Sequence, residues 1–579
     1  MKLVEKNEVA RVVQLDKLGL KVLTKPIMDI LHISDINEVY AKFEELHGVE
    51  FIDAVLKEFK VEFDYFEEEL QRIPKSGPFV TISNHPLGGI DGIILIKLIS
   101  QVRPDYKVMA NFLLQKIEPL REYFMPVNPF EERRDLMSSF TGVKESMVHV
   151  QAGHPLGIFP AGEVSTYKLR KGKVEDKPWE EGAIKMIRKM DVPVVPIYFK
   201  ARNSAFFYLL SLLHPSFRTA RLPGELRHQK NKSIRIRIGR PLSVKDQQEL
   251  ESIEHYSAFL RQRTYLLSQA LSPSKKLFNL KRPEKAQPVV APIESHLLKA
   301  EIEKLRPKKA FLFEHKDYEI FLAPSRQIPQ ILQEIGRLRE ITFREVGEGT
   351  NKPIDLDEYD YHYHHLILWH KSKEKPVGAY RLALGHKVYK KYGIKGFYLH
   401  TLFKIDRTVH QSLFAQAMEL GRAFVIKEEQ QKPWPLFLLW RGIATVIKRY
   451  PQIKYVVGCA SVSGSFSDFS RSLMVQYLSH HHGDAEMAQY VQGKRPFKPR
   501  LKEQYRKLVF DSSGNDLKRF EKLINELEPG NIRFPVLIKK YLQQNGRLVC
   551  FNVDPFFNNS LDGFLYIPIA DIPEEMLRV

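Results

Sequence analysis

"FVTISNHPLGGIDG", residues 79–92, sets a histidine and an aspartate on either side of a glycine pair directly after an apolar run. The run "PFVTIS" (78–83) has the composition and length of a strand, and "DGIILIKLIS" (91–100) has a helical pattern. His85 is therefore predicted at the carboxyl end of a strand, where α/β folds collect their ligands. An imidazole titrates near neutrality and can take a proton from an alcohol, while a neighbouring carboxylate such as Asp91 orients the ring and stabilises the imidazolium. Asn84, Gly88 and Gly89 would let backbone approach a substrate closely. A lone H-x5-D pair serves more often as a turn and a helix start than as a dyad, so the surrounding sequence decides.

Outward from this stretch, "YKVMAN" (106–111), "PLGIFP" (155–160) and "VPVVPIYF" (192–199) also read as strands, and "EEGAIKMIRKM" (180–190) as a helix. Strands alternating with helices predict an α/β domain. Upstream, residues 35–72 read as helical, with Asp35 and Glu38 at capping-box spacing. Residues 272–300 are rich in Pro and Lys and lack periodicity, which suits a linker between a first domain, 1–271, and a second, 301–579. In the second, 311–323, 363–384 and 455–462 read as strands and 411–430 and 436–450 as helices, an α+β pattern without internal repeat.

A chain of 579 residues with 43% hydrophobic content exceeds what one core usually serves. Its 89 Lys and Arg against 69 Asp and Glu give a formal charge of +20, which calls for an anionic partner: nucleic acid, a phospholipid surface or an acidic carrier protein. Residues 200–240 hold ten Lys or Arg and one acid, Glu225, around the apolar cluster "AFFYLLSLL" (205–213). An apolar wedge flanked by basic residues suits an anionic bilayer. Nucleic acid ranks below, because the aromatics cluster inside the apolar run instead of interleaving with the charges. No run reaches 18 apolar residues and the first residues lack the apolar centre of a secretory signal, so the expected place is cytoplasmic and peripheral on the inner face of the cytoplasmic membrane. Two cysteines, Cys459 and Cys550, without metal-type spacing suit a reducing compartment.

Four blocks in order resemble the PlsC-like glycerolipid acyltransferases, in particular their hemolysin-like branch: "NHPLGGIDG", "MPVNPFEERRD" (125–135), "IFPAGEVS" (158–165) and "VPVVPIYF". The resemblance spans about residues 70–245. It implies a mixed sheet with flanking helices, His85 as base with Asp91 holding it, and substrate contacts from Arg133 or Arg134 and from Pro160, Gly162 and Glu163. Two departures stand out. The histidine and aspartate are one residue further apart than is usual in the family. The third block, usually Pro-Glu-Gly-Thr-Arg, reads Pro160-Ala161-Gly162-Glu163-Val164, without the arginine that would pair with an acceptor phosphate, though Lys168, Arg170 or Lys171 are near enough to substitute. A hydroxyl acceptor without an obligatory phosphate is the expectation.

In the second half, Arg344 and Arg381 are suited to phosphopantetheine or carboxylate, and Asp357, Asp360 and Glu419 to orienting an ammonium or accepting its proton. Glu419 and Arg422, three apart, are predicted on one face of a helix. "REITFREVGEG" (339–349), "DLDEYD" (355–360), "VGAYRL" (377–382) and "ELGRAFV" (419–425) together resemble the GNAT-like N-acyltransferases of ornithine-lipid and glycine-lipid synthesis, relatives of the acyl-homoserine-lactone synthases. This resemblance spans about residues 310–575. It implies site roles for Arg344, Asp357, Asp360, Arg381, Glu419 and Arg422. The histidine runs "YHYHHL" (361–366) and "SHHHGD" (479–484) are read as a strand start and the polar end of a helix, not as metal sites.

Joined, the two resemblances imply a bifunctional acyltransferase. The second half would attach a 3-hydroxyacyl chain to the α-amine of an amino acid, glycine or ornithine, and the first would esterify that chain's hydroxyl. No cofactor is expected; the donors would be thioesters, with acyl carrier protein as partner. Two alternatives stay open: a phospholipid-remodelling acyltransferase whose GNAT-like half only binds carrier protein, and a non-catalytic membrane-associated protein.

Overall fold

The computed structural model describes residues 24–30, 33–127, 139–168, 172–213, 221–270, 286–503, 505–506, 514–529 and 532–577. The chain forms two compact units, one of residues 1–271 with 529–531 and one of 272–528 with 532–579.

The first unit is built on a seven-stranded sheet: β1 (Glu62–Asp64), β2 (Val80–Ser83), β3 (Lys107–Asn111), β4 (Phe124–Val127), β5 (Leu156–Ile158), β8 (Val194–Lys200) and β9 (Ser233–Ile238). Their order is β1-β9-β8-β2-β5-β3-β4, parallel throughout except for the β8–β9 pair. A short hairpin, β6 (Thr166–Lys168) with β7 (Lys173–Glu175), stands apart from it. Every residue of β2 is buried, as a central parallel strand covered on both faces requires. Alternation along the strands splits the interior in two. Val195, Ile197 and Phe199 face the helix Gly89–Ser100, whose Ile90, Ile94, Leu95 and Leu98 are buried. Val80, Ile82 and Val194 face the other side, with Ile184 and Ile187 of the helix Glu181–Met190.

The four strands and two helices expected around the opening stretch are present; β1, β4 and β9, which are short or lie among charged residues, were not anticipated. The helical reading of 35–72 needs correction. Two helices, Ile33–Phe43 and Gly48–Glu58, are followed by β1 and a single turn, Glu67–Leu70, and Asp35 lies in the first turn of its helix, not at its cap. The break between the two helices, residues 44–47, ends at Gly48, which opens the second with φ +55°.

The second unit carries an eight-stranded sheet of β10 (Phe311–His315), β11 (Tyr318–Pro324), β12 (His364–His370), β13 (Lys375–Leu384), β15 (Ala417–Val425), β16 (Tyr455–Val462), β18 (Arg547–Asp554) and β19 (Ser560–Pro568), in the order β10-β11-β12-β13-β15-β16-β19-β18. A separate pair joins β14 (Phe403–Ile405) to β17 (Val491–Gly493). All pairs in the large sheet are antiparallel except β15–β16. That parallel pairing runs only from Ala417↔Tyr455 to Leu420↔Gly458. Beyond it β15 stays with β13 and β16 with β19, so the sheet opens between them.

The helix expected over 411–430 is mostly strand. Residues 417–425 form β15, and its Ala, Met, Glu and Leu, good helix formers, yield to pairing with two neighbours. Glu419 and Arg422 therefore share no helix face. A bulge replaces it: Gly421 opposes Arg381 and Phe424 opposes Ala379, leaving Arg422 at φ +49°. A helix, Ser295–Leu305, also begins inside the stretch read as linker, of which 272–285 lie outside the described residues.

Candidate active sites

In the first unit the chain turns sharply after β2, and the turn brings His85 back against the first turn of the helix Gly89–Ser100. His85 Nδ1 lies 3.1 Å from Asp91 Oδ2, and that same oxygen accepts from the backbone N–H of Leu87 (2.8 Å) and Gly88 (3.1 Å). An oxygen already taking two N–H donors fixes the ring with Nδ1 protonated, which leaves Nε2 as the lone-pair nitrogen. Asp91 is fully buried, and burial raises its pKa despite the donors around it. The His85 ring stacks on Phe159 at 4.2 Å between centroids and stays 17% exposed. Gly88 has φ +81°, and a Cβ there would meet Leu222 at 2.8 Å, so glycine is required; the space beside Gly89 is open.

Asn84 does not face a substrate. It is buried, its amide donates to the Phe199 carbonyl (2.9 Å) and its oxygen accepts from the Phe199 N–H (2.8 Å), so it ties the end of β2 to β8. Pro160 is buried and its carbonyl accepts from the Glu180 N–H, Gly162 is exposed with φ +67°, and Glu163 pairs with Lys177. Arg133, Arg134, Arg170 and Lys171 lie outside the described residues. Sequence reading missed Asp176, which has no motif of its own in "EDKPW". It is 1% exposed and accepts from the His85 N–H (3.2 Å), the Ser165 hydroxyl and the Trp179 indole (3.2 Å). Ser165 N–H in turn donates to the His85 carbonyl at 2.8 Å, so the third block is pinned to the dyad.

Beside this turn, Asn203 donates to the Pro86 carbonyl (3.0 Å) and leads into the helix Ala205–Leu213, which leaves Phe206 and Leu209 exposed. The basic excess around it is smaller at the surface than the count suggests. Arg221 pairs with Glu225, Arg227 with Asp35 and Arg235 with Asp64, while Arg237 is wholly buried against Glu69. Among the described residues no helix is long and apolar enough to cross a membrane.

The second unit gathers its charges on one face of the sheet. Arg339, buried on the helix Pro329–Glu345, donates to Asp355 Oδ2 (3.0 Å) and to both oxygens of Asp360 (2.8 and 3.0 Å). Arg381 on β13 bonds Asp357 and lies 3.1 Å from Asp360, with its guanidinium 5.3 Å from the ring centroids of Tyr363 and Tyr398. The bulge at Arg422 turns that side chain to the same group, 3.6 Å from Asp355 and 3.7 Å from Asp357. Asp357 also caps the turn Glu358–Tyr361, accepting from the Tyr359 N–H at 2.9 Å. Burial opposes ionisation of Asp355 and Asp360, but the arginines overcome it and hold both below the usual carboxylate range.

Glu419 on β15 is different. Three arginines, Arg339, Arg381 and Arg422, balance three aspartates, and Glu419 is left over. It is 1% exposed, accepts from Tyr363 Oη (3.1 Å) and the Leu399 N–H (3.3 Å), and burial pushes its pKa up to about 8 against the pull of Arg381. A carboxyl poised there can accept the proton of an amine near neutral pH.

Arg344 is not in this group. Its Nε donates to Glu340 (2.6 Å) and its Nη atoms to the carbonyls of Gln287 and Lys352, so it fastens a helix end to neighbouring loops. The arginine of the site is Arg339. The signal was available: Arg339 continues the buried stripe of Ile331 and Ile335 at helical spacing, and Arg344 does not. Asp355, Tyr363 and Tyr398 were likewise unassigned. Of the histidine runs, His362 sits after the turn, His364 opens β12, and His365 is buried with Nε2 2.9 Å from the Asp360 carbonyl; burial lowers both His364 and His365 to about 4. Helix Asp468–His482 ends at Gly483 as read. Among the described residues no group of three or more His, Cys, Asp or Glu is placed to hold a metal ion.

A histidine–carboxylate dyad at the end of a parallel strand, joined in one chain to a second sheet with a buried glutamate among arginines and aspartates, marks the chain as an acyltransferase. Residues 5–274 match the family described as acyltransferase and residues 338–440 the acetyltransferase (GNAT) domain. The chain is 30% identical over 270 residues to a glycine N(alpha)-acyltransferase of Phocaeicola vulgatus, a match covering 44% of this chain and 79% of the relative, and it belongs to that family. It is also 26% identical over 248 residues to a lyso-glycine lipid O-acyltransferase of the same organism, covering 41% of this chain and 85% of the relative. A solved structure, the 1-acyl-sn-glycerophosphate (LPA) acyltransferase PlsC of Thermotoga maritima, shares 16% identity over 38% of this chain and 83% of its own, with a TM-score of 0.24.

Proposed function

We propose that the protein makes a diacylated amino-acid lipid in two steps, the GNAT-like unit forming the amide and the PlsC-like unit the ester. The observation that carries this reading is the presence in one chain of two proton acceptors suited to different nucleophiles: buried Glu419 for an ammonium, His85 with Asp91 for a hydroxyl. The names of the relatives pair an N-acylation of glycine with an O-acylation of a lyso-glycine lipid. Glycine has no hydroxyl, so the ester oxygen must come from the first acyl chain, and a 3-hydroxyacyl donor supplies it.

In the first step the substrate ammonium adds a positive charge beside Glu419 and so favours its carboxylate, which takes one proton. The free amine attacks the thioester carbonyl, the C–N bond forms, the C–S bond breaks and the thiol leaves with a proton. In the second, His85 Nε2 takes the hydroxyl proton of the lyso-lipid as that oxygen attacks a second thioester, Asp91 stabilises the imidazolium, and the proton passes to the departing thiol. The absence of the phosphate-pairing arginine from the third block supports an acceptor without a phosphate. Acyl carrier protein, an acidic partner, fits the +20 charge. The exposed Phe206 and Leu209 beside the dyad support peripheral contact with a bilayer that holds the lyso-lipid. Purified protein given a 3-hydroxyacyl carrier thioester with glycine or ornithine should release an N-acyl amino acid, and a second acyl thioester should convert it to the diacyl form. Acylation of lysophospholipid with no acylation of either amino acid would overturn the reading.

A further inference from the structure

On the face of the second sheet opposite Glu419, the buried hydroxyl of Tyr380 and the buried indole N–H of Trp440 have no hydrogen-bond partner among the described residues. They belong to one aromatic group. Trp440, on the helix Trp434–Arg449, meets Tyr380 of β13 at 6.3 Å and Tyr541 of the helix Val536–Leu542 at 5.7 Å, both edge-on. Tyr541 reaches the point where the sheet opens. Its hydroxyl lies 3.1 Å from where a Cβ would stand on Gly458, the last residue of β16 paired with β15, and such a Cβ would also lie 2.8 Å from the Leu420 carbonyl. Only glycine leaves that hydroxyl clear. Buried donors without acceptors are costly in an otherwise apolar wall, and two in one group call for an oxygen that arrives with a ligand.

Resting on the N-acylation reading, we infer that Tyr541, with Tyr380 and Trp440 behind it, recognises the 3-hydroxyl group of the acyl donor. The thioester carbonyl must sit near Glu419 for the amine to reach it. The opening beyond Leu420 and Gly458 is the way across the sheet from Glu419 to the aromatic group, and Glu419 is close enough to Tyr541 to perturb its hydroxyl electrostatically. The hydroxyl of a 3-hydroxyacyl chain is carried two carbons from the carbonyl, so it enters this opening first. Tyrosine can donate to it or accept from it, and the tryptophan N–H can donate. A site that pairs with a substrate hydroxyl discriminates against the chain lacking it, because the site's own polar groups are then left unpaired.

The test compares kcat/KM for N-acylation from a 3-hydroxyacyl and an unsubstituted acyl carrier thioester of equal length, in the full chain and in Tyr541→Phe, Tyr380→Phe and the double variant. Each change removes one oxygen and keeps the ring, and Tyr380→Phe should melt no lower than wild type because it removes an unpaired group. Wild type should prefer the hydroxylated donor, and Tyr541→Phe should cut that preference by ~10-fold or more, with the unsubstituted donor still used. An unchanged ratio in the double variant, or a wild type that uses both donors equally, overturns the inference and leaves the N-acylation reading standing. A wild type that transfers neither chain to any amino acid overturns both.

Discussion

His85 keeps 17% of its side chain exposed and leans on one carboxylate six residues away, whereas Glu419 is 1% exposed and held among charges drawn from one loop, two strands and a helix. The difference follows from the nucleophiles. A hydroxyl needs a base that is free at neutral pH, which imidazole is without help, so one orienting carboxylate suffices. An ammonium brings its own charge, and a carboxylate suits it only if its pKa is lifted towards neutrality; burial does this, and the buried arginines and aspartates around Glu419 cancel one another so that they do not undo it. The two members of the first centre are contiguous in the chain, while the second is a property of the whole sheet face.

The largest effects should separate the two centres cleanly. His85→Ala is expected to lower O-acylation by on the order of 10²–10⁴-fold and leave N-acylation intact, and Glu419→Gln to do the converse, each measured with its own acceptor. If either change depressed both reactions equally, the centres would not be independent. Next in size, Arg339→Ala leaves Asp355 and Asp360 buried without their main partner and should destabilise the second unit by ~3–5 kcal/mol in denaturant unfolding. A cost under ~1 kcal/mol there would mean the network is dispensable.

Glu419 also predicts a pH dependence of its own. Its folded pKa is raised above its unfolded value, so its stabilising contribution is complete below the ordinary carboxylate range and is lost as pH rises through about 8. N-acylation should rise over the same interval as the base ionises. Glu419→Gln should therefore melt higher than wild type at alkaline pH and no higher in acid, and a flat difference across that range would remove the buried charge from the account. The smallest effect on N-acylation belongs to Arg344→Ala, which should change it less than about twofold while costing ~1–3 kcal/mol of stability, because it loses bonds to loop carbonyls and leaves the buried Glu340 without its cation.

The same contrast explains what was legible in the sequence. The dyad was readable because strand, turn, histidine and helix are contiguous, and a short apolar run changing to a helical pattern fixes where His85 must stand. Asp176, which locks the dyad to the third block, is 91 residues from His85 and lies in an unpatterned loop, so only the folded chain shows it. In the second unit Asp357, Asp360, Arg381, Glu419 and Arg422 were found by the order of their blocks, yet their arrangement was misread. The alanine- and leucine-rich segment carrying Glu419 looks helical in isolation and becomes strand only through two neighbours more than 30 residues away, as β13 and β16 pair with it. Between Arg339 and Arg344 the motif chose one and burial chooses the other.

Lipid mass spectrometry on a host without aminolipids, expressing the wild type or His85→Ala, tests the two-centre account most directly. The wild type should give a new doubly acylated amino-acid lipid, and the variant its singly acylated form. Doubly acylated lipid persisting in the variant would contradict it.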